Sequence, residues 1–176
     1  MEGFEGNEVM YITIEPFSTP NASMVVLCAE ASRLSHKKSD KLIQFDDELT
    51  LLSKLVLHGD DEAKSLRGLQ VYYSLTAPRY FWQEFVTYRV GNEQLGSEST
   101  MHSAPKFETE DDFINYKNEI KEGMLQTRYF MTNYQTLRRM YFARRNHRLP
   151  HWREFCAWIE TLPYAKELIT KEKVWT

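Results

Sequence analysis

The sequence predicts an α+β domain, a small and mostly antiparallel sheet covered by several helices. Three observations predict it. Only three short stretches, "VMYITIEP", "GLQVYYSLTA" and "MLQTRYFMT", read as strands. Most of the remaining chain carries helical apolar spacing with capping residues at its starts. The 176 residues, 42% hydrophobic and 14% aromatic, suit one folded domain over residues 1–176. A chain of this size buries about 70% of its unfolded surface, enough to fold without disulfide or metal staples.

In chain order, "VMYITIEP" alternates as a half-buried strand does. Asn21 is placed to cap a helix through "ASMVVLCAEASR". "LSHKKSDKLIQF" is polar and reads as a loop. Asp46 or Asp47 caps a second helix, "ELTLLSKLVLH", which Gly59 ends. "GLQVYYSLTA" is the second strand, and Pro78 suits the first turn of the helix after it. In that helix Phe81, Phe85 and Tyr88 share one face at i, i+4 and i+7. "YRVGNEQLGSESTMH", from Tyr88 to His102, reads as a polar loop. Asp111 or Asp112 starts "FINYKNEIKE", and "MLQTRYFMT" is the third strand. Thr132 or Asn133 caps "YQTLRRMYFARR". "HWREFCAWIETL" is a further helix, and Pro163 begins a short last one, "YAKELIT".

Composition excludes several classes. The N-terminal stretch is acidic and lacks a long apolar run, which argues against a signal peptide. No apolar segment approaches 18 residues, so no membrane partner is expected and the expected location is the cytoplasm. Cys28 and Cys156 lie in apolar helical patterns and read as buried free thiols. His147 and His151 are separated by Pro150 and lack an obvious third ligand, so no metal site is expected. No P-loop, no GxGxxG after a strand and no GxSxG occurs.

Two features carry chemistry. Gly91, Gly96, Ser97, Ser99 and Thr100 of the polar stretch offer backbone and hydroxyl donors to an anion, unless the stretch is an idle surface loop. From Gly123 to Arg153 the chain holds seven arginines and no Asp, Glu or Lys, within a protein of net charge −3. Such a segment either faces an anionic ligand through planar forks suited to phosphate, or pairs with acids elsewhere in the fold.

The order of segments resembles the flavin-dependent thymidylate synthases, the ThyX family. "AEASRLSHKK", "LLSKLVLHG" with "LQVYYSLTAPRYFWQEFVTYR", "TRYFMTNYQTLRRMYFARR" and "HWREFCAWIETLPYAKELI" carry the resemblance across most of residues 8–170. "TYRVG…SESTMH" with "LPY" is similar to a divergent, largely phage-encoded branch. The family motif is Arg-His-Arg, seven residues, then Ser. Here Thr87 and Tyr88 replace the first Arg and the His, while Arg89 and Ser97 are kept at the motif spacing. Ser99 stands where the family carries a phosphate-binding Arg. Asn133 matches a helix-start Asn, and Arg144 matches the Arg that grips the pyrimidine.

The resemblance implies a ThyX-like domain whose polar stretch is half of a nucleotide pocket in a homotetramer. It implies Arg144 and Ser97 as catalytic residues. Arg89 and Asn133 would contact the cofactor, and Arg89, Ser97, Ser99 and Arg144 the substrate. Two functions follow. An enzyme would use FAD, NADPH and methylenetetrahydrofolate to methylate C5 of dUMP or a related pyrimidine nucleotide. A catalytically inactive relative would hold a nucleotide or other phosphorylated small molecule, for example sequestering a signalling nucleotide in the bacterial host cytoplasm. No stable nucleic-acid partner is expected. The aromatic helix "PRYFWQEFVTYR" has more large apolar side chains than one side of a small sheet requires, which predicts that part of it packs against another subunit.

Overall fold

The computed structural model describes residues 10–34, 44–102 and 104–172. The elements run β1 (Thr13–Ser18), α1 (Ala22–Arg33), α2 (Phe45–Leu55), a 3-10 turn (Lys64–Gly68), β2 (Gln70–Pro78), α3 (Arg79–Phe85), β3 (Asn92–Ser97), α4 (Glu110–Asn118), β4 (Leu125–Asn133), α5 (Tyr134–Arg144), α6 (Pro150–Glu160) and α7 (Ala165–Leu168). The predicted α+β architecture is what the chain adopts. The strands form one antiparallel sheet in the order β1-β2-β4-β3.

β2 and β4 form the spine of the sheet, paired without interruption from Gln70↔Asn133 to Pro78↔Leu125. Strand periodicity sends Val71, Tyr73, Leu75 and Ala77 to one face, and all four are fully buried. α5 and α6 bring Tyr134, Leu137, Trp152 and Phe155 into the same core. The opposite face carries Tyr129 and Phe17, exposed and stacked on each other with centroids 5.4 Å apart. Cys28 and Cys156 are free and buried, and burial pushes the Cys156 thiol up to about 12.

The structure differs from the sequence reading in several places. The last helix starts at Ala165, after Tyr164 with φ 58, and not at Pro163. The polar stretch after Tyr88 contains a strand, β3, paired to β4 from Asn92↔Thr132 to Ser97↔Arg128. It lies at the sheet edge with only Asn92 buried, so it carries no alternating apolar pattern to reveal it. α2 starts earlier than expected. Gln44 is its cap residue without a side-chain bond, and Asp46, Asp47 and Glu48 occupy the first turn, where carboxylates suit the helix dipole. α4 is capped by Thr109, whose Oγ1 accepts from Asp112 N–H at 3.1 Å, and it stops at Asn118. α3 ends at Phe85, before Tyr88, and Thr87 Oγ1 donates to the Glu84 carbonyl at 2.7 Å just past its end. Phe81, Trp82 and Phe85 are all buried within the chain's own core, which leaves Tyr80 as the exposed aromatic of α3, with exposed Val86 just past its end. Most of the loop expected at "LSHKKSDKLIQF" lies outside the described residues.

Candidate functional site

α3, α5 and α6 converge at their ends on one polar cluster. Glu84 is in the last turn of α3, Arg144 ends α5, and Trp152 sits in the first turn of α6 behind Pro150. Glu84 Oε2 accepts from Arg144 Nη1 at 2.8 Å and from Trp152 Nε1 at 3.0 Å, and His147 Nε2 lies 3.6 Å away. Arg144 Nε donates to the Tyr88 hydroxyl at 2.8 Å. The Arg144 guanidinium lies 4.7 Å over the ring of Trp152, whose side chain is fully buried. Arg144 is therefore a fork pinned by one carboxylate, one phenol and one indole face, with about a fifth of its side chain still exposed.

Beside Tyr88 the surface opens into a cavity of about 330 Å³ lined by Thr87, Tyr88, Arg89, Val90, Thr136 and Arg139. Arg89 is exposed at its mouth. The turn that leads from here into β3 is stitched to the start of α5. Asn133 Oδ1 accepts from Thr136 N–H at 3.0 Å, and its Nδ2 donates to the Gly91 carbonyl at 3.3 Å. Thr136 Oγ1 donates to the Val90 carbonyl at 2.9 Å. Gly91 has φ 75, and a Cβ there would come 2.5 Å from both Asn133 Nδ2 and Thr136 Oγ1. Asn133 and the Gly91 carbonyl thus spend their hydrogen bonds on the chain itself.

Ser97 and Ser99 lie at the other end of β3. Ser97 is exposed opposite Arg128. Ser99 Oγ accepts from Met101 N–H at 3.1 Å and lines a second cavity, of about 490 Å³, with Glu98, Thr100, His102, Met124 and Gln126. Within one chain, then, Arg144 bonds to Tyr88, the residue before Arg89, Arg89 lines the cavity with Thr136 and Arg139, and Ser97 and Ser99 lie at the far end of β3. The six residues of β3 separate the two groups, and at the usual strand rise its ends are about 16 Å apart.

Glu84 and Trp152 are the partners that the sequence reading missed. Glu84 closes α3 and Tyr88 lies beyond its end, and the two meet the same guanidinium across that end. Among the described residues no group of three or more His, Cys, Asp or Glu side chains is placed to hold a metal ion. No helix among them is long and apolar enough to cross a membrane.

A four-stranded antiparallel sheet with helices packed on its core face, and a polar edge strand leading from the aromatic helix, defines a class: this is the fold of the ThyX flavin-dependent thymidylate synthases. The likeness is to particular solved structures. ThyX from Helicobacter pylori, solved with FAD and dUMP, matches with a TM-score of 0.64 at 12% identity, over 91% of this chain and 98% of that one. A second Helicobacter pylori ThyX complex with FAD and dUMP gives 0.63 at 12% identity, over 89% and 97%. The UMP/dUMP methylase PolB from Streptomyces cacaoi, bound with 5-Br dUMP, gives 0.63 at 15% identity, over 90% and 94%. No protein-family model matches the sequence, and neither does any curated protein.

The neighbours were solved with FAD, and two side chains at the positions the resemblance assigns to flavin are engaged within this chain. At the motif positions that contact flavin in the family, the Thr87 hydroxyl is bonded to the Glu84 carbonyl and the Tyr88 hydroxyl accepts from Arg144.

Proposed function

We propose that this chain is a single ThyX-like domain that binds a pyrimidine nucleotide as a homotetramer. One observation carries the reading: the fold matches, over about nine-tenths of both chains, proteins solved with dUMP or 5-Br dUMP. Homotetramer assembly accounts for the separation along β3. Arg89 and Arg144 of one copy and Ser97 and Ser99 of another would then complete one pocket. Arg144, oriented by Glu84 and Tyr88, donates to the pyrimidine carbonyl through an N–H left over from its internal bonds. The hydroxyls of Ser97 and Ser99 orient the sugar and phosphate. Calorimetric titration with dUMP, UMP, dTMP and a panel of cyclic dinucleotides, beside light scattering, tests this. Micromolar dUMP binding by a tetramer is expected. Absence of binding to any nucleotide would overturn it.

Two uses of such a site are separated by one further assay. The PolB methylase among the neighbours favours methylation at C5. The internal engagement of Thr87 and Tyr88 favours a binding protein that sequesters its nucleotide. Incubation of dUMP with the protein, FAD, NADPH and methylenetetrahydrofolate decides between them. Formation of dTMP assigns the enzyme, and tight dUMP binding without turnover assigns sequestration.

A further inference from the structure

Arg128 differs from the other arginines of its segment. Arg139, Arg144 and Arg145 each face a carboxylate, from Asp60, Glu84 and Glu172. Arg138 donates to the carbonyls of Ile169 and Val56, and Arg153 to those of His147 and Arg148. Arg148 is exposed. Arg128 is half-buried, and its acceptors are neutral. Gln126 Oε1 accepts from its Nε at 3.1 Å and its Nη2 at 2.9 Å, and Gln94 Oε1 accepts from its Nη1 at 3.1 Å. A guanidinium has five N–H groups, so two of them have no acceptor among the described residues. The cation lies 4.5 Å over the ring of Trp82, which fixes its plane.

The second charge at this place is another cation. Arg79 begins α3 one turn before Trp82, with its backbone N–H bonded to the Met124 carbonyl at 3.0 Å. Neither Arg79 nor Arg128 forms an ion pair with a carboxylate among the described residues. The nearby Glu98 turns its carboxylate onto Thr127 N–H at 2.8 Å, and its carbonyl accepts from Gln126 Nε2. Burial first, and then the charge of Arg79, push the Arg128 guanidinium down from its ordinary range. Two partly desolvated like charges without a counter-ion are unfavourable, and a bound anion reverses the sign of that interaction. The glutamine oxygens hold the fork in place without neutralising it.

We propose that Arg79 and Arg128, braced by Trp82, Gln94 and Gln126, form an anion site that takes the phosphate of the bound nucleotide. The inference rests on the nucleotide-binding reading and assigns it a residue pair. Ser97, opposite Arg128, borders the site, and the 490 Å³ cavity that shares Gln126 adjoins it.

The test is calorimetric titration of the full chain with dUMP, deoxyuridine and inorganic pyrophosphate, for wild type, Arg79→Gln and Arg128→Gln. Each variant is expected to weaken dUMP binding about tenfold to a hundredfold, the loss of one charged hydrogen-bonding contact. Deoxyuridine affinity should stay unchanged and pyrophosphate binding should disappear. Thermal melting checks the fold of Arg128→Gln. Arg79→Gln carries the test if that variant does not fold, because the Arg79 side chain forms no ion pair among the described residues. Wild-type dUMP affinity in Arg79→Gln overturns the proposal, as does an equal loss of dUMP and deoxyuridine. Arginine-dependent pyrophosphate binding by a wild type that binds no nucleotide would uphold the anion site and overturn the nucleotide reading. A wild type that binds none of the three ligands overturns both.

Discussion

Glu84→Ala should unfold the protein more readily than any change to the arginine it holds. The carboxylate accepts two hydrogen bonds through one oxygen, from Arg144 and from the indole of Trp152. The two bonds differ in weight. The Arg144–Glu84 pair is partly exposed, at 21% and 41% of the side chains, so solvent screening holds it to about 0.5–1 kcal/mol. The Trp152 side chain is fully buried, and an indole N–H left there without an acceptor costs about 1–3 kcal/mol. Glu84→Ala should therefore destabilise by about 2–3 kcal/mol. For a domain of this size that lowers Tm by about 4–12 °C. Glu84→Gln keeps an oxygen for the indole and loses only the charge, so it should cost about 1 kcal/mol. Arg144→Ala removes the ion pair and the stacking on Trp152 but strands no buried donor, which gives about 1–2 kcal/mol. Urea denaturation of all three variants, with m-values checked for two-state behaviour, measures the order. Equal losses in Glu84→Ala and Glu84→Gln would refute the reasoning, because the ion pair and not the indole would then dominate.

Gly91→Ala should destabilise by about 2–4 kcal/mol, combining a left-handed backbone with a collision against the Asn133 cap of α5; an unchanged melting curve would show that the turn into β3 can move. His151 is buried against Tyr11, Tyr80 and Phe81, and burial lowers its pKa, an effect that Glu154 partly offsets. The folded state therefore disfavours the imidazolium, so this stability is present above the unfolded pKa of about 6.5 and is lost as pH falls through the lower folded value. Urea titrations from pH 7.5 to 5 should show a steeper loss in wild type than in His151→Phe, and parallel curves would contradict it.

The sheet and the helices were legible where burial writes a period into the sequence. β2 and β4 carry their core residues at spacing two, and α5 was read correctly, its cap being Asn133, one of the two candidates. β3 was not legible, because an edge strand with one buried residue has no apolar period, and its identity comes from the backbone bonds of β4. The resemblance named Arg89, Arg144, Ser97 and Ser99 as site candidates, but their order along the chain cannot say that β3 would hold Arg89 at one end and the two serines at the other. Nor could it show that Asn133 is occupied by Thr136 and Gly91, since those bonds depend on the close approach that only a glycine at 91 permits.

The arginine segment shows what a charge count leaves undecided. Seven cations without an acid in thirty-one residues suggested either an anionic ligand or partners elsewhere, and the fold answers residue by residue. Asp60, Glu84 and Glu172 come from distant parts of the chain to meet Arg139, Arg144 and Arg145. Arg138 ties α5 to the carbonyls of Val56 and Ile169, so its charge serves the packing of helices. These five contacts are the solvated or structural outcome, and they lower the field that a count of arginines would assign to the surface. What survives is local. Arg128 has neutral acceptors, an aromatic support and a second cation as its charged neighbour. A diffuse basic face would bind any polyanion with little regard for shape, and losing one arginine would cost it little. A single fork held in one plane beside a cavity selects a compact anion, and the loss of that fork should be felt by phosphate and not by base or sugar.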